Sequence, residues 1–192
     1  MNEVLGTSEQ ALLKGLPEGT LGDFVSDAVL KKTNDAYQPS DKVLVDICLL
    51  NNGGLRSQLP KGKITLGNVF ELMPFENEIV VLTLSGEKTQ QLFESLIQSN
   101  GAPFSGATVK GKGKKMTELK IGGKEFDITK TYKVATSDYL AGGGDKYSFF
   151  SSPIKVDTLK YKLRDAIVDY IKEQTKKDLT IKVELDGRIK YE

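Results

Sequence analysis

Three short stretches of the sequence gather residue types that recognise small polar ligands. The first is Asn51-Asn52-Gly53-Gly54-Leu55-Arg56. Paired glycines let a backbone approach an anion closely, and the planar fork of an arginine suits phosphate or carboxylate. A tight turn followed by a surface arginine is the plainer alternative. The second is Met73-Pro74-Phe75-Glu76-Asn77, where proline fixes the backbone beside a phenylalanine that falls outside any helical stripe. Burial in the core is the ordinary fate of such a ring. The third runs from Ser137 to Tyr147, and its triplet Gly142-Gly143-Gly144 gives a mobile or sharply turned backbone ahead of Asp145. That carboxylate could meet a ligand hydroxyl, or could be a solvated aspartate on a flexible loop. Together the stretches supply two aromatics, Phe75 and Tyr139, for a planar ring, Arg56 for a phosphate and Asp145 for a diol. A nucleotide needs such a set. Base stacking on an aromatic is worth ~1–3 kcal/mol per ring, and ribose hydroxyls are commonly held by an acidic side chain.

Composition excludes much else. The 192 residues include 27 Lys+Arg, 26 Asp+Glu, one Cys and no His, for a formal charge of +1. Without an imidazole, Ser-His and Cys-His nucleophiles and histidine-ligated metal centres are impossible. One cysteine allows no internal disulfide and no multi-cysteine zinc site. Near-zero net charge argues against DNA or RNA binding, which needs a basic surplus. No carboxylate pair stands out as able to hold two metals. No apolar run approaches the ~18 residues of a membrane span. The opening MNEVLGTSEQ has no basic or apolar region of a signal peptide, so the chain is either cytoplasmic or exported with its signal already removed.

The elements that must position these stretches follow from periodicity. Leu21, Phe24, Val25, Ala28 and Val29 share a stripe, predicting a helix over Thr20 to Thr33 with Thr20 and Asp23 as its cap. The run from Lys42 to Leu50 predicts a buried strand, with Cys48 as a core side chain. A short helix is expected from Leu66 to Leu72, a strand from Glu78 to Leu84, and a helix from Glu87 to Gln98. Lys110 to Lys115, KGKGKK, reads as a solvated loop or an anion-attracting rim. Gly122-Gly123 predicts a hairpin between Thr117–Ile121 and Lys124–Ile128. A strand is expected over Tyr132 to Thr136, an amphipathic helix over Thr158 to Gln174, and a strand pair around Asp186-Gly187. The whole predicts one mixed α/β domain.

In order and spacing, these motifs resemble the C-terminal domain of the 5'-nucleotidase family, which includes UDP-sugar hydrolases and 2',3'-cyclic-nucleotide phosphodiesterases. The resemblance rests on Asn51 to Arg56, on Pro74-Phe75 eighteen and nineteen residues past Arg56, and on Tyr139 to Tyr147. Glu18, Thr20, Leu21 and Gly22 resemble the family's Glu-x-Asn-Leu-Gly segment, and Asp186-Gly187-Arg188-Ile189 its close. It implies an α+β fold of layered mixed sheets with flanking helices over residues 16–192, preceded by a segment over 1–15. It further implies that Phe75 and Tyr139 sandwich a nucleobase, Asp145 accepts the ribose hydroxyls, Arg56 meets the phosphate or sugar edge, and Asn51 touches the nucleoside. Gly53 and Gly54 would let the backbone pass beneath the ligand. Tyrosine stands at 139 where the best-known members carry phenylalanine. Where the family has an arginine before its Glu-x-Asn-Leu-Gly segment, only Lys14 lies nearby, and it receives no role. The family's catalytic residues and its two divalent metals belong to a metallophosphoesterase domain, so the resemblance implies no cofactor, metal ligand or catalytic residue in this chain. It implies a separate catalytic chain or domain as partner, and a periplasmic or cell-surface location. A nucleotide- or nucleoside-binding protein without a hydrolase role is the alternative.

Overall fold

The computed structural model describes residues 1–192. Its first half runs β1 (Val4–Ser8), α1 (Thr20–Ala36), β2 (Ile47–Leu49), β3 (Gly62–Thr65), α2 (Leu66–Leu72), β4 (Glu78–Ser85) and α3 (Gly86–Gln98). There follow β5 (Phe104–Ser105), β6 (Ala107–Lys112), β7 (Lys115–Ile121), β8 (Lys124–Glu125) and β9 (Thr131–Ser137). The chain ends with α4 (Asp138–Ala141), β10 (Lys155–Lys162), α5 (Leu163–Lys176) and β11 (Ile189–Tyr191).

The alternation of apolar residues along β4 explains the layering. Successive strand side chains point to opposite faces. Ile79 and Val81 enter one core, with α1, α2 and α5, while Val80, Leu82 and Leu84 enter a second, with α3 and the β6–β7 hairpin. The strand belongs to a five-stranded sheet of order β10-β4-β9-β2-β5, in which only β2 and β9 are parallel. A four-stranded sheet, β11-β6-β7-β8, closes the second core, and β1 pairs with β3 beside the first. The fold is therefore a mixed-sheet layer with helices on its flanks. The opening residues contribute to it directly, since Leu5 and Leu12 are both buried in the first core.

Several local expectations are corrected. The strand foreseen from Lys42 shrinks to Ile47–Leu49, because the side chain of Asn34 replaces a strand neighbour: its amide donates to the Val45 carbonyl (3.1 Å), and its oxygen accepts from the Val45 N–H (2.8 Å). Val43 and Leu44 accordingly stay exposed. The helix expected from Thr158 begins only at Leu163, because Lys155 to Thr158 pair as an edge strand with Thr83 to Val80. KGKGKK is neither loop nor rim as a whole. It forms the adjoining ends of β6 and β7, with Lys110 bonded to Glu118 at 3.0 Å. No strand pair forms around Asp186-Gly187: Ile181 bridges Ser8, and β11 joins β6 in parallel. The foreseen cap of α1 also differs. Gly19 occupies the N-cap, and the Thr20 hydroxyl instead accepts from the Leu13 N–H at 3.0 Å. Cys48 is fully buried, and burial pushes its thiol well up from its ordinary pKa.

Candidate functional site

The topology brings the three stretches to one end of the central sheet. Because β2 and β9 are parallel neighbours, the loops leaving their C-terminal ends emerge side by side. Antiparallel β4 runs the other way and sets Ile79 against Ser137, so the segment just before β4 arrives at that same end. Ligand clefts commonly form beyond the carboxyl ends of parallel strands. Here the cleft measures about 340 Å³ and is lined by Asn51, Gly53, Gly54, Arg56, Phe75, Tyr139 and Asp145, together with Asn77.

Each loop is fastened by its own sequence. Beyond Asn51, a 3-10 turn over Asn52–Gly54 ends at Leu55, which is buried, and the Arg56 N–H donates to the Leu72 carbonyl at 2.8 Å. The absent Cβ of Gly54 serves Asn51 itself, because a Cβ there would lie 2.7 Å from Asn51 Oδ1. The Arg56 side chain is exposed, and its Nη1 reaches only the Gly53 carbonyl, at 3.4 Å. Helix α2 opens with a reciprocal capping box between Thr65 and Asn68 and closes before Pro74. Phe75 then projects with 40% of its surface exposed. Tyr139, in a four-residue helix capped by the Ser137 hydroxyl, is 51% exposed. Large rings left in solvent are more telling than buried ones.

Asp145 is the most constrained of the group. Gly143 turns the chain at φ 97°, and Asp145 (φ 52°) and Lys146 (φ 59°) follow in the left-handed region, which aspartate tolerates better than most residues. The glycine triplet thus makes a sharp turn. Tyr147, Phe149 and Phe150 cluster at ring distances of 4.8–6.1 Å and anchor its far side. Burial and the nearby Asp145 charge push the Tyr147 hydroxyl up to about 12. The Asp145 Oδ1 accepts from the Tyr139 hydroxyl (3.0 Å) and Oδ2 from the Asn51 amide (2.5 Å).

Arg164 escaped the sequence reading altogether. Buried at the start of α5, it lies 4.0 Å from the Phe70 ring centre and donates to the carbonyls of Met73 (3.4 Å) and Phe75 (3.3 Å). It also pairs with Glu76, as does Lys162, and those two cations hold the Glu76 carboxyl down at about 2. The Phe75 loop is therefore tied to α5. The only signal in the sequence was a charged residue beside the apolar stripe of Leu163 and Ile167. Asn77, noted within its cluster and given no role, lines the cleft. Lys14 does not; it borders a separate small cavity with Glu18 and Asp23.

Three carboxylates, of Glu18, Asp23 and Asp186, come within 4.8 Å of one another. They do not fit a two-metal centre. Both Asp186 oxygens are engaged by Arg188, Asp23 Oδ1 lies 3.4 Å from the same guanidinium, and Glu18 accepts from the Asp186 and Gly187 N–H groups. The donor set surrounds an arginine that the protein itself supplies.

Comparison with known proteins adds to this geometry. A family model described as "5'-nucleotidase, C-terminal domain" matches residues 4–152. The trifunctional nucleotide phosphoesterase protein YfkN of Bacillus subtilis (strain 168) is 30% identical over 189 residues, covering 90% of this chain and 12% of that protein. Protein UshA of Escherichia coli (strain K12) is 31% identical over 112 residues, 56% of this chain and 20% of UshA. The crystal structure of a 5'-nucleotidase precursor from Thermus thermophilus superposes with a TM-score of 0.84 at 26% identity, covering 100% of this chain and 40% of that one. The chain thus spans well under half the length of these proteins.

Proposed function

Because the chain belongs to the 5'-nucleotidase C-terminal domain family, we propose that it is the part of a phosphoester hydrolase that recognises a nucleotide or nucleoside. One observation carries this reading: two exposed aromatic rings, a carboxylate and an arginine from three separate loops line a single cleft. In it the base stacks between Phe75 and Tyr139, and the ribose hydroxyls donate to Asp145. Arg56, whose guanidinium has only one weak protein partner, meets the phosphate or the sugar edge. Asn51 touches the nucleoside, and Gly53 and Gly54 leave its loop low enough for the ligand to pass over.

Hydrolysis falls to a metallophosphoesterase domain or chain. That domain would hold two divalent metals, whose chemistry would be to activate water for attack on the phosphate. This chain holds and orients the leaving nucleoside. Its lack of histidine and the small share of each relative that it matches both support that division of labour. We place it in the periplasm or at the cell surface, on the family resemblance; no helix is long and apolar enough to cross a membrane.

Titration calorimetry with AMP tests the reading. Wild type should bind, and Phe75→Ala should bind more weakly by about fivefold or more, the loss expected for one stacked ring. Equal affinities would remove the stacking, and no binding by wild type would remove the function.

A further inference from the structure

The hydroxyl of Tyr139 is superfluous to stacking, yet the structure gives it a definite partner. It donates to Asp145 Oδ1 at 3.0 Å, while the Asn51 amide donates to Oδ2 at 2.5 Å. Each carboxylate oxygen therefore carries one donor, from two different loops, on a residue whose backbone is itself turned into the left-handed region at φ 52°. Close packing fixes the reach of the hydroxyl. A Cβ on Gly144 would stand 2.5–2.7 Å from three atoms of the Tyr139 ring, so the ring lies directly against the glycine that precedes Asp145.

A carboxylate offers about four lone-pair sites. With one taken on each oxygen, one on each remains, a match for two adjacent hydroxyl donors. We infer that the Tyr139 hydroxyl is a positioning group. With Asn51 it pins Asp145 so that both oxygens stay available to the cleft, and it thereby sharpens the preference for free 2' and 3' hydroxyls that the carboxylate itself confers. The inference rests on the nucleoside reading above and deepens it. A 2',3'-dideoxyribosyl group has nothing to donate. A 2',3'-cyclic phosphate also lacks donors and sets a negative charge against the carboxylate.

Calorimetry on the full chain with adenosine, 2',3'-dideoxyadenosine and 2',3'-cyclic AMP tests this, using wild type, Tyr139→Phe and Phe75→Ala. Wild type should prefer adenosine to both analogues by about tenfold or more, the scale of one or two hydrogen bonds to a charged group. In Tyr139→Phe, which keeps the ring, dideoxyadenosine should bind as before while adenosine loses about fivefold, so that the preference shrinks. A ligand-free readout accompanies it: amide hydrogen exchange from Gly144 to Tyr147 should quicken in Tyr139→Phe and not in Phe75→Ala. An equal loss for both nucleosides, no loss for either, or unchanged exchange would overturn the positioning role. A wild type that binds adenosine and dideoxyadenosine alike, with both weakened by Phe75→Ala, would overturn diol selection and leave stacking standing. A wild type that binds none of the three would overturn the inference together with the reading beneath it.

Discussion

Gly144 has no Cβ where Tyr139 has its ring. A methyl group there would stand 2.5 Å from the nearest ring carbon, well inside van der Waals contact, and the ring could yield only by leaving Asp145. Gly144→Ala should therefore act on binding more than on folding. The loop is exposed and Tyr139 half in solvent, so the unfolding free energy should change by under about 1 kcal/mol, typical of a surface change. Affinity for adenosine should fall several-fold, measured by calorimetry beside the melting curve. A loss of stability as large as the loss of affinity would show that the contact serves the fold instead. At this scale the sequence was most legible. Phenylalanine outside a stripe, a glycine triplet before aspartate and an arginine after paired glycines carry their chemistry in their types. Less legible was what each glycine makes room for. Gly54 accommodates the Asn51 side chain and Gly144 the Tyr139 ring, and both are neighbours across a turn that spacing does not reveal.

Among the elements, the start of α5 governs the Phe75 loop. Arg164 brings one buried guanidinium to two carbonyls and a carboxylate, and the Leu163 N–H donates to the Asn77 carbonyl at 3.0 Å. Arg164→Met keeps an apolar stem against Phe70 and removes every polar tie. Urea unfolding should show a loss of about 1–3 kcal/mol, since the buried Met73 carbonyl and the part-buried Phe75 carbonyl lose their donor. AMP affinity should fall as well, because Phe75 loses its support. Undiminished affinity would mean that Pro74 and the end of α2 suffice. The dependence of the loop on Glu76 has a definite sign. Its carboxyl is held below its ordinary value, down to about 2, so whatever the pairing adds is present above about 4.5 and is lost as pH falls through 2. Boundaries were the poorly legible part of this level. Lys42 to Val45 has the composition of a strand, yet Asn34 from α1 occupies the place of its neighbour. Thr158 to Lys162 suits a helix by period, yet β4 has an open edge that captures it. Both outcomes depend on partners distant in sequence, which local pattern does not encode.

The molecule as a whole is closed by its last residues meeting α1. Arg188, buried, donates to both oxygens of Asp27 (2.9 and 3.1 Å), to both of Asp186 (3.0 and 2.8 Å) and to the Phe104 carbonyl (2.9 Å). Asp23 sits behind this group only 3% exposed, and its Oδ2 has no hydrogen-bond partner. Four carboxylates, of Glu18, Asp23, Asp27 and Asp186, thus face the single cation of Arg188, with Lys14 bordering the same cavity as Glu18 and Asp23. Burial chiefly pushes the Asp23 carboxyl up to about 8; Arg188 opposes the rise, while Glu18 and Asp186 add to it. The folded state therefore holds a proton that the unfolded chain releases near 3.8. Stability from this group is fully present below 3.8 and is lost as pH rises through about 8. The chain has no histidine, so few other side chains obscure that window. Urea unfolding at pH 5.5 and 8.5 should find wild type weaker at the higher pH. Asp23→Asn copies the protonated carboxyl and can donate its amide to Glu18. It should flatten the difference and be the more stable protein at pH 8.5 by about 1–3 kcal/mol, the cost of a buried group without a partner. An equal pH dependence in both proteins would place the proton elsewhere and leave Asp23 charged beside Arg188.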